Sequence, residues 1–466
     1  MDCENKVKGI KIAYVGGGSR AWARNLMCDL AKDGEISGDI CLYDIDKTAA
    51  EQNAAIGNML SAREDVSGKW KYSVSDTLEN ALTGADFVII SILPGTFDEM
   101  ASDVHVPEKY GIYQSVGDST GPGGIVRALR TAPMFREFAS AVKKYCPKAW
   151  VINFTNPMTV CTRTLYEVFP EIKAFGCCHE VFGTQKVFVK LLEKKYGIKA
   201  KREEIDVNVL GVNHFTWIDK AHYRNIDLMP LLKEELSASG GDMDGIDNNW
   251  VNKSFVSGHL VKFDLYRRYG VFGAAGDRHL AEFCPGKWYL KDPETVKKFG
   301  FALTTVDWRK QDFADKIVQT NELLNGKKFE LFETGEESVR QIKALLGLGN
   351  FVTNVNLPNV GQMPQTAKGA VVETNAYFSG DSVTPVCAGD LPSEVKGLVD
   401  RIISCQEATV KAALYGDYEL AFNAFLNDPN VCIDFDSARK LFDEMLYNTR
   451  KYLPYYDRYV KHRENV

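Results

Sequence analysis

KIAYVGGGSRA, Lys11–Ala21, runs a short apolar strand into three glycines and on toward a helix. The stretch fits G-x-G-x-x-A as Gly16, Gly18 and Ala21. In that pattern the first glycine permits a tight turn and the second lets backbone approach a phosphate. The small third residue lets the helix pack close to the sheet. A helix N-terminus adds free N–H groups and partial positive charge. The segment Gly16, Gly17, Gly18, Ser19 and Arg20 is therefore the expected pyrophosphate loop of a bound dinucleotide. A second apolar run, ICLYDID at Ile40–Asp46, places Asp44 at a strand end. An acid about 20 residues beyond the loop holds the ribose hydroxyls of NAD. It also repels a 2′-phosphate, so NAD is expected rather than NADP.

Working outward, strands are expected at Lys11–Val15, Ile40–Tyr43, Ala85–Ile92, Ala149–Asn153 and Ile172–Cys177. Helical patterns fall between them, notably Ile125–Tyr145. This alternation predicts an α/β fold with a Rossmann-like, doubly wound, mostly parallel sheet. The end of GADFVIISI, Ser91–Gly95, is expected beside the cofactor. After about residue 200 the character changes. Asp206–Phe215 reads as a strand ending in polar residues, and Ser237–Asn249 as a Gly/Ser/Asp-rich loop. Val352–Val386 alternates strand-like runs with Pro and Gly. Ser393–Leu414, stopped at Gly416, and Asp436–Leu453 read as helices. The expected division is a dinucleotide domain over 1–200 and an α+β substrate, metal and oligomerisation domain over 201–466.

Composition narrows the function. The 466 residues are 45% hydrophobic, enough for a sizeable core. A net charge of −6 argues against nonspecific nucleic-acid or membrane binding. No segment approaches the ~20 apolar residues of a membrane-spanning helix. MDCENKVKGIK lacks the apolar core of a signal peptide. The 11 cysteines contain no C-x-x-C pair, which speaks against structural zinc or a disulfide framework and for reduced thiols in a cytoplasm.

Four clusters could carry chemistry. SVGDSTGPGGIV, Ser115–Val126, is a glycine-rich loop with Asp118 inside it, leading into the Ile125 helix. It is either a ligand loop or a turn and helix cap. NFTNP, Asn153–Pro157, ends an expected central strand, and strand C-terminal ends are where open α/β sheets bind ligands. Asn156 is there as a binding or a turn residue. FGCCHEVFG, Phe175–Gly183, sets Cys178, His179 and Glu180 in a row as potential ligands or acid–base groups. VNHFTW, Val212–Trp217, brings His214 to another strand end. Cys178 and His214 lie 36 residues apart, which by spacing alone is no metal motif.

The order of these segments resembles glycoside hydrolase family 4, the NAD- and divalent-metal-dependent glycosidases. The likeness runs through GGGS, GPGG, TNP, a Cys-His pair 22 residues after the TNP asparagine, NHFTW, VNLPNVGQMP and GAVVETNAY. CHEV, Cys178–Val181, resembles the α-galacturonidase subgroup. The resemblance implies Mn²⁺, or another divalent metal, on Cys178 and His214, with Asn156 on the substrate and His179 lining the sugar site. It implies a general base on Gly270–Phe283, for which Asp277 is the first choice and Tyr266 or Tyr269 the alternative. Asp118 is a candidate acid for the leaving oxygen, and Arg278, before Lys287, a candidate partner for a uronate carboxylate.

The implied reaction oxidises C3 of the sugar with NAD⁺, removes the acidified C2 proton, eliminates at C1, adds water and returns the hydride. The metal stabilises the enediolate as a Lewis acid. NAD is regenerated at each turnover, and the usual catalytic carboxylate pair is not required. The expected activity is hydrolysis of α-galacturonides by a homodimer or homotetramer. The alternatives are α-glucosidase, α-galactosidase or α-glucuronidase activity in the same family, or a net NAD-dependent 2-hydroxy acid dehydrogenase.

Overall fold

The computed structural model describes residues 7–238 and 258–456. The expected loop over Ser237–Asn249 falls mostly outside them; a helix, Met229–Ala238, runs to their edge. Six strands come from the first half: β1 Val7–Val15, β2 Ile36–Tyr43, β3 Trp70–Val74, β4 Phe87–Ile90, β5 Trp150–Asn153 and β6 Lys173–Gly176. The second half adds β7 Asp206–Val212, β8 Phe215–Tyr223, β9 Ile226–Asp227, β10 Phe272–Gly273, β11 Phe351–Pro358, β12 Val371–Ser379 and β13 Ser382–Pro385.

One nine-stranded sheet has the order β13-β12-β11-β6-β5-β4-β1-β2-β3. Strands β1 to β6 are mutually parallel, in the doubly wound order 3-2-1-4-5-6. β4 and β5 read FVII and WVIN and are buried along their length, as central strands covered on both faces must be. Strands β11 to β13 extend the same sheet in antiparallel fashion, so the second half of the chain completes the sheet of the first. β3 went unread in the sequence, although Trp70 and Tyr72 alternate with exposed Lys71 as an edge strand's residues do. A second, antiparallel sheet contains β7, β8, β9 and β10.

Two expectations are corrected. Asp206–Phe215 is not one strand. Val212 pairs with Phe215, so Asn213 and His214 form the two-residue turn of a hairpin. His214 takes a left-handed φ of 65° there, a conformation that costs energy for a residue with a Cβ and recurs at functional sites. The glycine-rich loop is also shorter than expected. The helix begins at Gly121, and GPGG forms its buried first turn. Pro122 suits that turn, where no N–H partner is needed. Asp428 supplies the cap from the C-terminal region, accepting from Thr120 Oγ1 and Gly121 N–H, both at 2.9 Å. The 25-residue helix Gly121–Tyr145 packs against the helices Met158–Val168 and Ser393–Tyr415. It also carries Arg130, whose buried guanidinium holds Asp103 with Nη1–Oδ1 at 3.0 Å and the Pro94 carbonyl at 2.8 Å.

Gly16 turns with φ 91°, and a Cβ there would sit 1.9 Å from the Ser91 carbonyl oxygen. β1 and the end of β4 could not keep this spacing with any larger residue. Gly16→Ala is therefore expected to destabilise the chain by about 1–3 kcal/mol and to weaken dinucleotide binding. Thermal melting and NAD⁺ titration check this; an unchanged melting temperature would refute the close approach.

Candidate active site

The cofactor cradle forms where β1 meets the helix Trp22–Lys32. Gly18 N–H donates to Asp44 Oδ2 at 2.8 Å, and Asp46 N–H to Oδ1 at 2.8 Å. Asp44 thus clasps the loop with its own β2 end, and a Cβ on Gly18 would lie 2.9 Å from Asp44 Oδ2. Ile45 beside it is 94% exposed. Asn53 Nδ2 fixes the carbonyls of Gly17 and Ser19 at 2.9 and 3.0 Å. Arg20 reaches Gln52 Oε1 and lies over the Phe313 ring at 5.2 Å. The helix has Ala21 at its N-cap, with no side-chain cap bond and no acid in the first turn, which suits an anion at its N-terminus.

Strand ends bring the other expected residues toward this cradle. Asn156 follows β5, with a cis bond to Pro157. Its Nδ2 donates to Asp118 Oδ2 at 3.4 Å, and Arg127 Nε holds its carbonyl at 3.0 Å. Cys178 and His179 follow β6, and His179 is the N-cap of the helix Glu180–Tyr196. The His179 ring stacks on Trp22, centroids 6.0 Å apart, and pairs with Glu336 Oε1 at 3.1 Å. The sugar-site histidine expected from sequence therefore touches the first residue of the dinucleotide helix.

Among the described residues, one group of three has ligand atoms within 4.8 Å of one another: Asp118, His214 and His279. The two imidazoles stack with centroids 3.7 Å apart. Ser119 Oγ donates to Asp118 Oδ1 at 2.7 Å and lies 3.1 Å from His214 Nδ1. Burial, reinforced by His279, pushes the His214 pKa down to about 3, so its ring is neutral with a lone pair available. Burial also lowers His279, whose Nδ1 is buried with no hydrogen-bond partner. For Asp118 burial opposes ionisation, but the Arg127 guanidinium favours the charged form and the carboxyl is lowered. Its position beside the two imidazoles is one a ligand could take. An anionic oxygen and two neutral imidazoles, one with an orphaned nitrogen, fit a divalent cation.

Cys178 stands outside this group. Its thiol is buried and bonded to the Asn213 side chain, the residue before His214, and burial raises it far above the ordinary range. Asn213 in turn donates to Glu373 Oε2 at 3.0 Å, and Asn354 Nδ2 spans Glu373 Oε1 at 2.6 Å and the Cys178 carbonyl at 3.2 Å. Glu180 accepts from Gly276 N–H at 2.6 Å and lies 3.9 Å from His279 Nε2.

Asp277 opens the short helix Asp277–Phe283 that carries His279, and it is fully buried. Its Oδ1 accepts from Lys262 N–H at 3.1 Å. The Lys262 ammonium, itself 1% exposed, reaches Thr184 Oγ1 at 2.5 Å, and burial lowers it to about 8. The alternative bases face elsewhere: Tyr266 packs edge-on to Phe272 and Tyr269 on Trp217. Arg278 Nη1 donates to Thr304 Oγ1 at 2.5 Å, and Lys287 is exposed. Sequence reasoning missed His279, Glu282, Lys262 and Arg309. The first two lie in GDRHLAEF, a segment singled out for other residues, so their signal was present; Lys262 and Arg309 had none.

The model of the family 4 glycosyl hydrolases matches residues 11–194, and that of its C-terminal domain matches 209–431. The chain is 63% identical over 454 residues to an α-galacturonidase of Thermoanaerobacterium saccharolyticum, covering 97% of this chain and 98% of that one. A crystal structure from Bacillus subtilis, described as a glucosidase, superposes with TM-score 0.88 at 52% identity, over 94% of this chain and all of that one. A 6-phospho-α-glucosidase from gut microorganisms, solved with NAD and Mn²⁺, shares the fold with TM-score 0.81 at 19% identity, over 95% and 99% of the two chains.

Glu282 Oε1 accepts from Val116 and Gly117 N–H at 2.6 and 2.8 Å, fastening the Asp118 loop. Burial raises its pKa from 4.5 to about 8. The folded state then binds a proton that the unfolded state releases between those values, so this group's contribution to stability is present below pH 4.5 and lost as pH rises toward 8. Glu282→Gln is expected to flatten that dependence. Urea unfolding of both proteins at pH 5 and 7.5 checks it, and equal slopes would refute the raised pKa.

Proposed function

The chain belongs to the family 4 glycosyl hydrolases, and on that premise we propose that it hydrolyses α-galacturonides with NAD and a divalent metal, Mn²⁺ first, as cofactors. The observation that carries this reading is the meeting of Asp118, His214 and His279 beside Asn156, next to a glycine cradle closed by Asp44. Identity of 63% to an α-galacturonidase supports the uronate over the other sugars of the family. Family membership sets aside the net dehydrogenase alternative.

When bound, NAD would supply a hydride acceptor for the sugar and the metal a Lewis acid. Gly16, Gly17, Gly18, Ser19 and Arg20 form the cofactor loop, and Asp44 is the ribose acceptor. His214 and Cys178, whose thiol is bonded to the neighbouring Asn213 side chain, would hold the metal, and Asp118 and His279 lie close enough to His214 to add donors. Asn156 orients the sugar and steadies Asp118, while His179, stacked on Trp22, fills the gap between sugar and cofactor. Arg278 stands at the sugar site beside His279. Asp277 takes the C2 proton, its carboxylate oriented by the backbone N–H of Lys262. The depth of these groups keeps bulk water from the reacting carbons.

No helix among the described residues is long and apolar enough to cross a membrane, and the ten described cysteines are all free, which supports work in a reducing cytoplasm. Ile317 and Val318 are exposed apolar residues of the helix Val306–Leu324, which supports a homodimer or homotetramer.

Purified enzyme with NAD⁺, Mn²⁺ and a thiol reductant is expected to cleave p-nitrophenyl α-D-galacturonide and digalacturonate faster than the gluco, galacto or glucurono analogues, without net NADH. In D₂O the product should carry deuterium at C2, and its absence would exclude proton abstraction there. Asp277→Asn should lower kcat roughly 100-fold or more, and Cys178→Ser should abolish metal-dependent turnover. Unchanged rates in either variant would remove that residue from the mechanism.

A further inference from the structure

Three arginines of this region are tied to protein partners. Arg127 holds the Asn156 carbonyl, Arg130 holds Asp103, and Arg278 holds Thr304. Arg309 differs. Among the described residues its guanidinium forms no hydrogen bond or ion pair, and its Nε is buried without a partner. A cation in such a place is destabilised unless an anion meets it.

Its position follows from the chain leading into the helix Val306–Leu324. Thr304 N–H donates to the Ser115 carbonyl at 2.8 Å, and Thr304 Oγ1 accepts from Arg278. One residue thus touches both loops that carry Asp118 and His279. Val306 N–H then donates to His105 Nε2 at 3.2 Å, which fixes the first turn. Arg309 lies one turn on, its N–H bonded to the Thr305 carbonyl. The spacing puts it on one face with Val306, Phe313 and Thr320. Val306 packs on Met100 and Val104, Phe313 lies under Arg20, and Thr320 accepts from Arg24. That face is turned to the dinucleotide half of the molecule, and Arg309 is its member nearest the Asp118 loop. The half-buried side chain has Asp118 and Glu282 as its main charged neighbours. Asp118 is engaged by Ser119 and Asn156, and one oxygen of Glu282 by two backbone N–H groups; among the described residues no hydrogen bond or ion pair joins either carboxylate to the guanidinium.

We infer that Arg309 reads the C6 carboxylate of the uronate, taking this task from Arg278. The inference rests on the α-galacturonidase reading and names the side chain that makes the site select an acid. With O2 and O3 of the sugar facing Asp118, His214 and His279, the substituent on C5 stands one sugar ring from that cluster, within the span of the long Arg309 side chain beside Asp118. A guanidinium with nothing else to bind forms a bidentate pair with a carboxylate there. A neutral hydroxymethyl group leaves it desolvated and unpaired, so discrimination comes from rejecting the galactoside as much as from holding the acid.

The test uses NAD⁺- and Mn²⁺-loaded enzyme with p-nitrophenyl α-D-galacturonide and α-D-galactoside, in the wild type and in Arg309→Met, Arg309→Lys and Arg278→Met. Calorimetric binding of free galacturonate and galactose gives the same comparison for any variant too slow to assay. Arg309→Met is expected to lower kcat/KM on the galacturonide roughly 100-fold, mostly through KM, with little change on the galactoside. Arg309→Lys should recover part of the loss, since it restores charge without the fork. Equal loss on both substrates, no loss, or a galacturonide-selective loss in Arg278→Met instead would overturn the assignment to Arg309 while leaving the substrate reading intact. A wild type that ignores the galacturonide would overturn the substrate reading and this inference with it.

Discussion

Parallel pairing of β1, β4, β5 and β6 is the constraint on which everything else in this molecule rests. Parallel strands run in one direction, so their C-terminal ends open onto a single edge of the sheet. The first residues past those ends are the glycine loop after β1, the Ser91 turn after β4, Asn156 after β5 and Cys178 with His179 after β6. Four segments separated by up to 160 residues of chain thereby share one cleft, and no side-chain interaction is needed to gather them.

The remaining site groups must be brought in from outside that edge, and each arrives on an element fixed by buried polar bonds. His214 comes on a hairpin turn held in a left-handed conformation. His279 and Asp277 come on a seven-residue helix too short to be stable alone. The Asp118 loop is fastened by Glu282 on one side and by Thr304 on the other, and the helix behind it is capped by Asp428. In so dry a setting each bond matters more than it would at the surface, because a lost partner leaves a desolvated group. The Arg130–Asp103 pair shows the same logic: its burial makes it weak evidence of net stability but leaves neither partner free to move.

The residues legible in the sequence share one property. Gly16, Asp44, Asn156 and the Cys178–His179 pair are all set by a local rule, the way a parallel strand passes into its loop. Asp118 was legible as a residue, while its meeting with His214 and His279 was not, because only the folded chain brings the three together. The reach of the strand near Asn213 was misread because Val209–Val212 and Phe215–Ile218 form one apolar run, and the two polar residues between them look like a strand end rather than a turn. His279 lay in a segment already singled out, yet nothing in its spacing to Asp118 or His214 gave it a partner. Arg309 sits in VDWRKQDFADKIVQT, where alternating charges read as an ordinary solvated helix face.

By itself, then, the sequence determined the parallel run of β1, β2, β4, β5 and β6, the glycine loop and the family pattern, because hydrophobic period, glycine placement and strand-to-loop passage act over a few residues at a time. Only the tertiary structure decided which groups meet. It brought His214 against His279, bonded the Cys178 thiol to Asn213, packed Tyr266 and Tyr269 on Phe272 and Trp217, and left the Arg309 Nε buried without a hydrogen-bond partner. The physical reason is that protonation state and pairing depend on distance and burial in space, and neither is written in any local pattern of the chain.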